Sequence, residues 1–319
     1  MKQVIFDTDI GIDDAMALLF LHFAREAEVI AIVSGYGNAS IQNTTTNALY
    51  MKELFNIDVP VFRGASRPLN GEIPKYPDFV HGENGLGDID IPDIAEAPES
   101  RDGAQAIVDI VCQNPEKITI VTVGRLTNIA NALRLCSKLP NIVKELIIMG
   151  GAFGFNGHRG NVSPVAEANI AGDPIAADIV FTSGIPTTVV GLDVTMEVIM
   201  EQAYFDALRQ DAGKAGEFIY RISERYLDFH EGLKGRRDCP VHDPSAVAFL
   251  LKPEIFSAVE APVRVVTEGI AAGQTIWGER NASYEIDAWS ELSSCKICTG
   301  VDGDALLHLY RDTLVSAVD

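Results

Sequence analysis

Half of the residues from position 7 to position 14 are aspartates: Asp7, Asp9, Asp13 and Asp14. Carboxylates held this close repel one another, by roughly 4 kcal/mol for two unit charges about 4 Å apart at an effective dielectric near 20. Water can screen that repulsion, or a cation can turn it into attraction. Ligation by carboxylate and carbonyl oxygens suits a hard ion such as Ca2+ or Mg2+ rather than zinc. A plainer role is open to Asp13, because an apolar helical pattern begins here and carboxylates are favoured at helix N-termini.

Two further polar groupings lie far along the chain. His242 and Asp243 immediately precede the apolar helical run Pro-Ser-Ala-Val-Ala-Phe-Leu-Leu (244–251). Asp243 is placed to cap that helix ahead of Pro244, or to add a distant carboxylate to the acidic group. Asn161, Glu167 and Asn169 stand in a segment otherwise built of small residues (160–174). Such side chains offer the donors and acceptors that sugar hydroxyls require.

The elements that must position these groups alternate. Strand patterns at 3–7, 28–38, 59–64, 117–124, 144–151 and 186–194 are interleaved with helical patterns at 13–27, 44–55, 103–114, 126–135 and 173–184. Continuous Val/Ile runs suit parallel strands buried on both faces, and helices of this length suit crossovers. The expected fold is α/β, one domain over 1–319 with an open, mostly parallel, doubly wound, Rossmann-like sheet. In such sheets ligands bind outside the carboxyl ends of the strands, which is where the aspartates fall. Residues 65–100, rich in Pro, Gly and acid, read as an active-site loop, with 152–164 a second loop. Residues 201–238 read as a helical insertion near the site. A late strand followed by a helix is expected in the region after 290.

A net charge of −20 repels phosphate backbones and argues against a nucleic-acid partner. No apolar run reaches the roughly 18 residues of a membrane span. The N-terminal segment reads as a core strand rather than a signal peptide, so a cytoplasmic protein is expected. The cysteines at 112, 136, 239, 295 and 298 are scattered, unlike a disulfide framework. Cys295 and Cys298 have metal or redox spacing, but no second pair completes a four-thiolate site, and a structural role is expected.

Taken in order, Asp-Thr-Asp-Ile-Gly-Ile-Asp-Asp (7–14), Ser-Gly-Tyr-Gly-Asn (34–38), Val-His-Gly (80–82), Gly-Arg-Leu-Thr-Asn (124–128), Met-Gly-Gly (149–151), the segment Asn161…Glu167-Ala168-Asn169…Asp173-Pro174 and His-Asp-Pro (242–244) resemble the motifs of the inosine–uridine-preferring nucleoside hydrolases. The resemblance runs over most of the chain. It implies hydrolysis of the N-glycosidic bond of ribonucleosides, giving free base and ribose, with a bound Ca2+. Carried over position by position, it makes Asp9, Asp14, Asp243 and the carbonyl of Val123 the metal ligands. Asp9 is also the general base. Asp13 and Asn169 would hold the ribose diol, Asn161 and Glu167 the 5′-hydroxyl with help from Met149, and Asn38 would sit near the ribose. His242 is the expected acid for the departing base, and His81 lies on a closing loop. Tyr226 and His230 would face the base, and Asp7 would support the site from behind. The resemblance also implies a homodimer or homotetramer.

Two departures stand out. Ile10 replaces the family's usual proline, and Ala168 stands where several relatives carry an aromatic residue. Base preference is therefore left open. Hydrolysis of a modified or nicotinamide riboside, or nucleoside binding without catalysis, remain alternatives. A phosphatase using the first aspartate as nucleophile leaves Asp13, Asp14 and Asp243 without a role.

Overall fold

The computed structural model describes every residue except 280, 281, 283, 284, 287 and 319. The chain opens β1 (Lys2–Thr8), α1 (Ile12–Phe23), β2 (Ala27–Ser34), α2 (Ile41–Phe55), β3 (Val61–Arg63) and the single turn α3 (Asp78–His81). It continues α4 (Gly103–Gln113), β4 (Ile118–Thr122), α5 (Thr127–Leu135), α6 (Leu139–Ile142) and β5 (Glu145–Met149). Next come α7 (Ala168–Gly172), α8 (Pro174–Phe181), β6 (Thr187–Val190), α9 (Leu192–Thr195), β7 (Ile199–Glu201), α10 (Gln202–Asp211) and α11 (Gly213–Lys234). The last third holds β8 (Asp238–Pro240), α12 (Asp243–Leu251), β9 (Phe256–Ala261), β10 (Val263–Val265), β11 (Thr275–Trp277), β12 (Cys295–Val301) and α13 (Gly303–Val315).

Eight strands form the central sheet in the order β3-β2-β1-β4-β5-β6-β12-β9. Every neighbouring pair is parallel except the edge pair β12–β9. The chain winds outward from β1 to β3, then crosses back to β4, so a crevice opens at the carboxyl ends of β1 and β4. Alternation along β1 decides what lies on each side. Val4 and Phe6 pack with residues of α1, α2 and α12, whereas Ile5 packs with α4, α5 and α8. Hydroxyl and carboxylate caps start several helices: Ser40 accepts from Asn43 N, Asp102 from Ala104 N and Asp302 from Ala305 N. Across the larger core, Phe20 meets Tyr310 edge-to-face at 5.0 Å, tying the first helix to the last. Among the described residues no helix is long and apolar enough to cross a membrane.

Several expected boundaries move. α1 stops at Phe23 because Ala24 is already extended and the chain must turn into β2. The strand expected over 28–38 ends at Ser34, and residues 35–38 turn back toward Asp9. The strand expected to reach 194 ends at Val190, where Gly191 starts the helical turn α9. The pairs β7–β8 and β10–β11 are only three residues per strand, too short for a period-two pattern to declare itself. Cys295 packs on one face of the sheet and Cys298 on the other. Their spacing therefore makes no joint metal or redox site, and burial pushes both thiols up to about 12.

Candidate active site

The turn after β1 is fixed by Asp14. Its Oδ1 accepts from Thr8 Oγ1 at 2.6 Å and from Asp9 N at 3.2 Å. Its Oδ2 accepts from Gly11 N at 2.9 Å and Asn38 Nδ2 at 2.7 Å. Asp14, not Asp13, thus caps the start of α1, with Gly11 at the cap position. The capping role open to Asp13 falls to its neighbour, and Asp13 is left for other work. Asp243 does not cap its helix either. It is the first residue of α12, His242 takes the cap position, and no side-chain capping bond is made.

The carboxylate of Asp9 accepts from Asn38 N at 2.7 Å through Oδ2. Its Oδ1 and the Oδ1 of Asp13 are buried with no hydrogen-bond partner among the described residues. One carboxylate oxygen from each of Asp13, Asp14 and Asp243 lies within 4.8 Å of the others. Burial pushes all four acids upward: Asp13 rises to about 8, burial first and repulsion from Asp14 second, Asp9 and Asp243 stand well above the usual carboxylate range through burial and their acidic neighbours, and Asp14 is raised by burial against the pull of its own hydrogen bonds. Buried acids with orphaned oxygens are costly as charged groups unless paired. An all-carboxylate set of this kind fits a hard divalent cation.

Asp7 lies on the face of β1 that carries Ile5. It accepts from Thr122 Oγ1 at 2.7 Å and Asn128 Nδ2 at 2.8 Å, which ties β1 to β4 and α5. Burial raises it to about 7.

Above the acids is a cavity of about 300 Å3. Asp13, Asn38, Val123, Met149, Asn161, Glu167, Asn169 and Asp243 line it together with His81, Tyr226, His230 and His242. Asp9 and Asp14 are packed beside this lining. Glu167 caps α7: Oε1 accepts from Asn169 N at 2.8 Å, and Oε2 from Gly151 N at 3.0 Å and Ile170 N at 3.1 Å. Asn169 Nδ2 donates to the Val123 carbonyl at 2.8 Å and the Met149 carbonyl at 3.2 Å, so one amide joins the ends of β4 and β5. Asn161 Oδ1 accepts from Ala168 N at 3.0 Å.

The histidines share an apolar setting. His81 Nδ1 accepts from Ile12 N at 3.3 Å, and its ring stacks on Tyr226 at 5.8 Å. Tyr226 meets His230 edge-on at 4.7 Å, and both His230 nitrogens are buried without a partner among the described residues. His242 Nδ1 is 2.8 Å from Thr195 Oγ1. Burial lowers His81 and His242 to about 3 and His230 to about 4, so all three rings are neutral at ordinary pH.

The segment 78–88 is docked on the helical insertion. Phe79 packs on Phe229 with ring centroids 5.7 Å apart. Arg225 donates to Asp88 Oδ2 at 2.8 Å and to the Asp78 carbonyl at 2.9 Å. Sequence reasoning passes over Thr8, Thr195 and Arg225. Thr8 lies inside the aspartate motif and was within reach; Thr195 and Arg225 carry no local signal, because their partners are remote in sequence.

Residues 4–308 match the model of the inosine-uridine preferring nucleoside hydrolase family. The chain is 37% identical over 316 residues to uridine nucleosidase 1 of Arabidopsis thaliana, covering 98% of this chain and 93% of that protein. A plant nucleoside hydrolase structure superposes with a TM-score of 0.94 at 34% identity, covering 99% of both chains. A purine-preferring ribonucleoside hydrolase from Gardnerella vaginalis superposes with a TM-score of 0.91 at 30% identity, covering 99% of this chain and 98% of the other.

Proposed function

Because the chain belongs to the inosine-uridine preferring nucleoside hydrolase family, hydrolysing ribonucleosides to free base and ribose, we propose that it does so at this cavity, with Ca2+ held by its acidic floor. The observation that carries this reading is the set of buried carboxylates at the carboxyl end of β1, with orphaned oxygens on Asp9 and Asp13. Asp9, Asp14, Asp243 and the Val123 carbonyl are the proposed ligands, with Asp13 close enough to share the ion. When bound, the ion supplies positive charge that offsets the carboxylates, gathers ribose hydroxyls and acidifies water.

The chain's own residues divide the remaining work. Asp13 and Asn169 hold the 2′- and 3′-hydroxyls, with Asn38 beside them. Glu167, Asn161 and Met149 hold the 5′-hydroxyl end. Asp9, through its free Oδ1, takes a proton from the water that attacks the anomeric carbon. The C–N bond breaks with its electron pair going to the base, through a sugar cation that the acidic floor stabilises. His242 faces the departing base and gives it a hydrogen bond as the electron pair arrives, the base then taking its proton from water, while His81, Tyr226 and His230 surround it. The named relatives include a uridine nucleosidase and a purine-preferring enzyme, so the base is not fixed by kinship. The same reading makes the protein a cytoplasmic homodimer or homotetramer, which light scattering would check for assembly.

The test is release of reducing sugar from purine and pyrimidine ribonucleosides, with 2′-deoxy controls and with or without chelator. Release that needs the 2′-hydroxyl and is restored by Ca2+ after chelation supports the reading. Release unaffected by exhaustive chelation would remove the metal from it.

A further inference from the structure

Thr195 is fully buried, at the end of the helical turn α9 that follows β6. Among the described contacts its hydroxyl has one hydrogen-bond partner, Nδ1 of His242 at 2.8 Å. A hydroxyl has one hydrogen to give, and leaving a buried donor without an acceptor is costly. The acceptor in reach is the Nδ1 lone pair. If Thr195 donates there, Nδ1 carries no proton and the neutral ring holds its proton on Nε2. Nε2 is the nitrogen left for the cavity, which His242 lines.

We infer that Thr195 is a positioning residue that locks His242 as its Nε2–H tautomer, aimed at the leaving base. This rests on the reading of His242 as the group facing that base. The alternative tautomer would present a lone pair to a departing anion and oppose catalysis. Among the described residues no carboxylate is bonded to Nδ1 to stabilise an imidazolium, so the arrangement suits a neutral donor that polarises the leaving group by a hydrogen bond. Ring orientation and tautomer are set together by one bond, as outer-shell partners of histidine commonly do.

The position is otherwise well held. Two residues earlier, Asp193 accepts from Phe153 N at 2.9 Å and Phe155 N at 2.7 Å. The turn that carries Thr195 is therefore anchored independently of His242, and removing the hydroxyl need not unfold it.

The experiment compares wild type, Thr195→Val and Thr195→Ser by long-range proton–nitrogen NMR of the histidine rings, with His242→Gln assigning the signals. Wild type and Thr195→Ser should show His242 with its proton on Nε2, and Thr195→Val should show a mixture. With kinetics on uridine or inosine, Thr195→Val should lower kcat roughly tenfold to a hundredfold at little-changed KM, and Thr195→Ser should recover most of it. The loss should shrink on 4-nitrophenyl riboside, whose leaving group needs no donor. A proton on Nδ1 in wild type overturns the inference. So does unchanged tautomer in Thr195→Val, or equal loss on both substrates. The underlying reading fails separately, if His242→Ala loses no more on nucleosides than on the nitrophenyl riboside while the NMR assignment stands.

Discussion

A β-carbon on Gly37 would stand 1.7 Å from Oδ2 of Asp9, and one on Gly124 would stand 2.4 Å from its Oδ1. The carboxylate is seated between two bare Cα positions, on the turns after β2 and β4. Neither glycine has a left-handed φ, so alanine acts there through contact rather than backbone strain. Gly37→Ala should displace Asp9 and lower kcat roughly a hundredfold, the usual scale for an ångström of misplacement. Steady-state kinetics would show it, and a rate near wild type would deny Asp9 a part in the chemistry.

Replacing the acid itself separates its two proposed roles. Asp9→Asn should lower kcat by roughly 10²- to 10⁴-fold and weaken Ca2+ binding in titration calorimetry. Asp7→Asn, whose carboxylate is held by Thr122 and Asn128, should affect Ca2+ binding far less. Equal weakening by both would assign the effect to the strand rather than the ligand.

The raised carboxylates make a statement about pH and stability. Asp7 at about 7 and Asp13 at about 8 titrate near 4 when unfolded. Between those values these two acids hold protons in the folded chain that the unfolded chain has lost, so their contribution to stability falls as pH rises; the buried neutral histidines act in the opposite sense only below their free value of about 6.5. Metal-free protein should therefore melt at a higher temperature at pH 6.5 than at pH 8. Added Ca2+ should raise the midpoint more at pH 8, where the acids must otherwise carry buried charge. Calorimetry that finds the chelated protein more stable at the higher pH would contradict this.

Arg225 grips both ends of the segment from Asp78 to Asp88 but is partly exposed. Exposed pairs contribute roughly 0–1 kcal/mol. Arg225→Ala should accordingly raise KM only two- to fivefold, with kcat less affected. Arg225→Lys should recover part of the loss, since an ammonium cannot match the two-pronged contact. A change confined to kcat would mean the residue acts elsewhere.

The sequence declares the sheet from β1 to β6 because buried parallel strands are continuous Val/Ile runs between amphipathic helices. It also declares the acidic floor, because crowded aspartates have few innocent explanations. What it hides is pairing at a distance. Whether Asp13 or Asp14 caps α1 depends on where Thr8 and Asn38 point, and Asn38 comes from β2's far end. The join of β4 to β5 by the Asn169 amide, and the hold of Thr195 on His242, exist only after the chain has closed. The edge strand β9 is masked by exposure: Ser257 to Glu260 are open to solvent, so no apolar alternation marks them.

The place of β12 between β6 and β9 has a bearing on how the molecule is made. A ribosome releases β1 to β6 long before residues 295–301, and β6 meanwhile offers an unpaired edge to any neighbouring nascent chain. Closure of the sheet waits until residues 295–301 have been made. Crowded synthesis, more than any weakness of the finished fold, is then where aggregation threatens, and holding chaperones would act on that open edge.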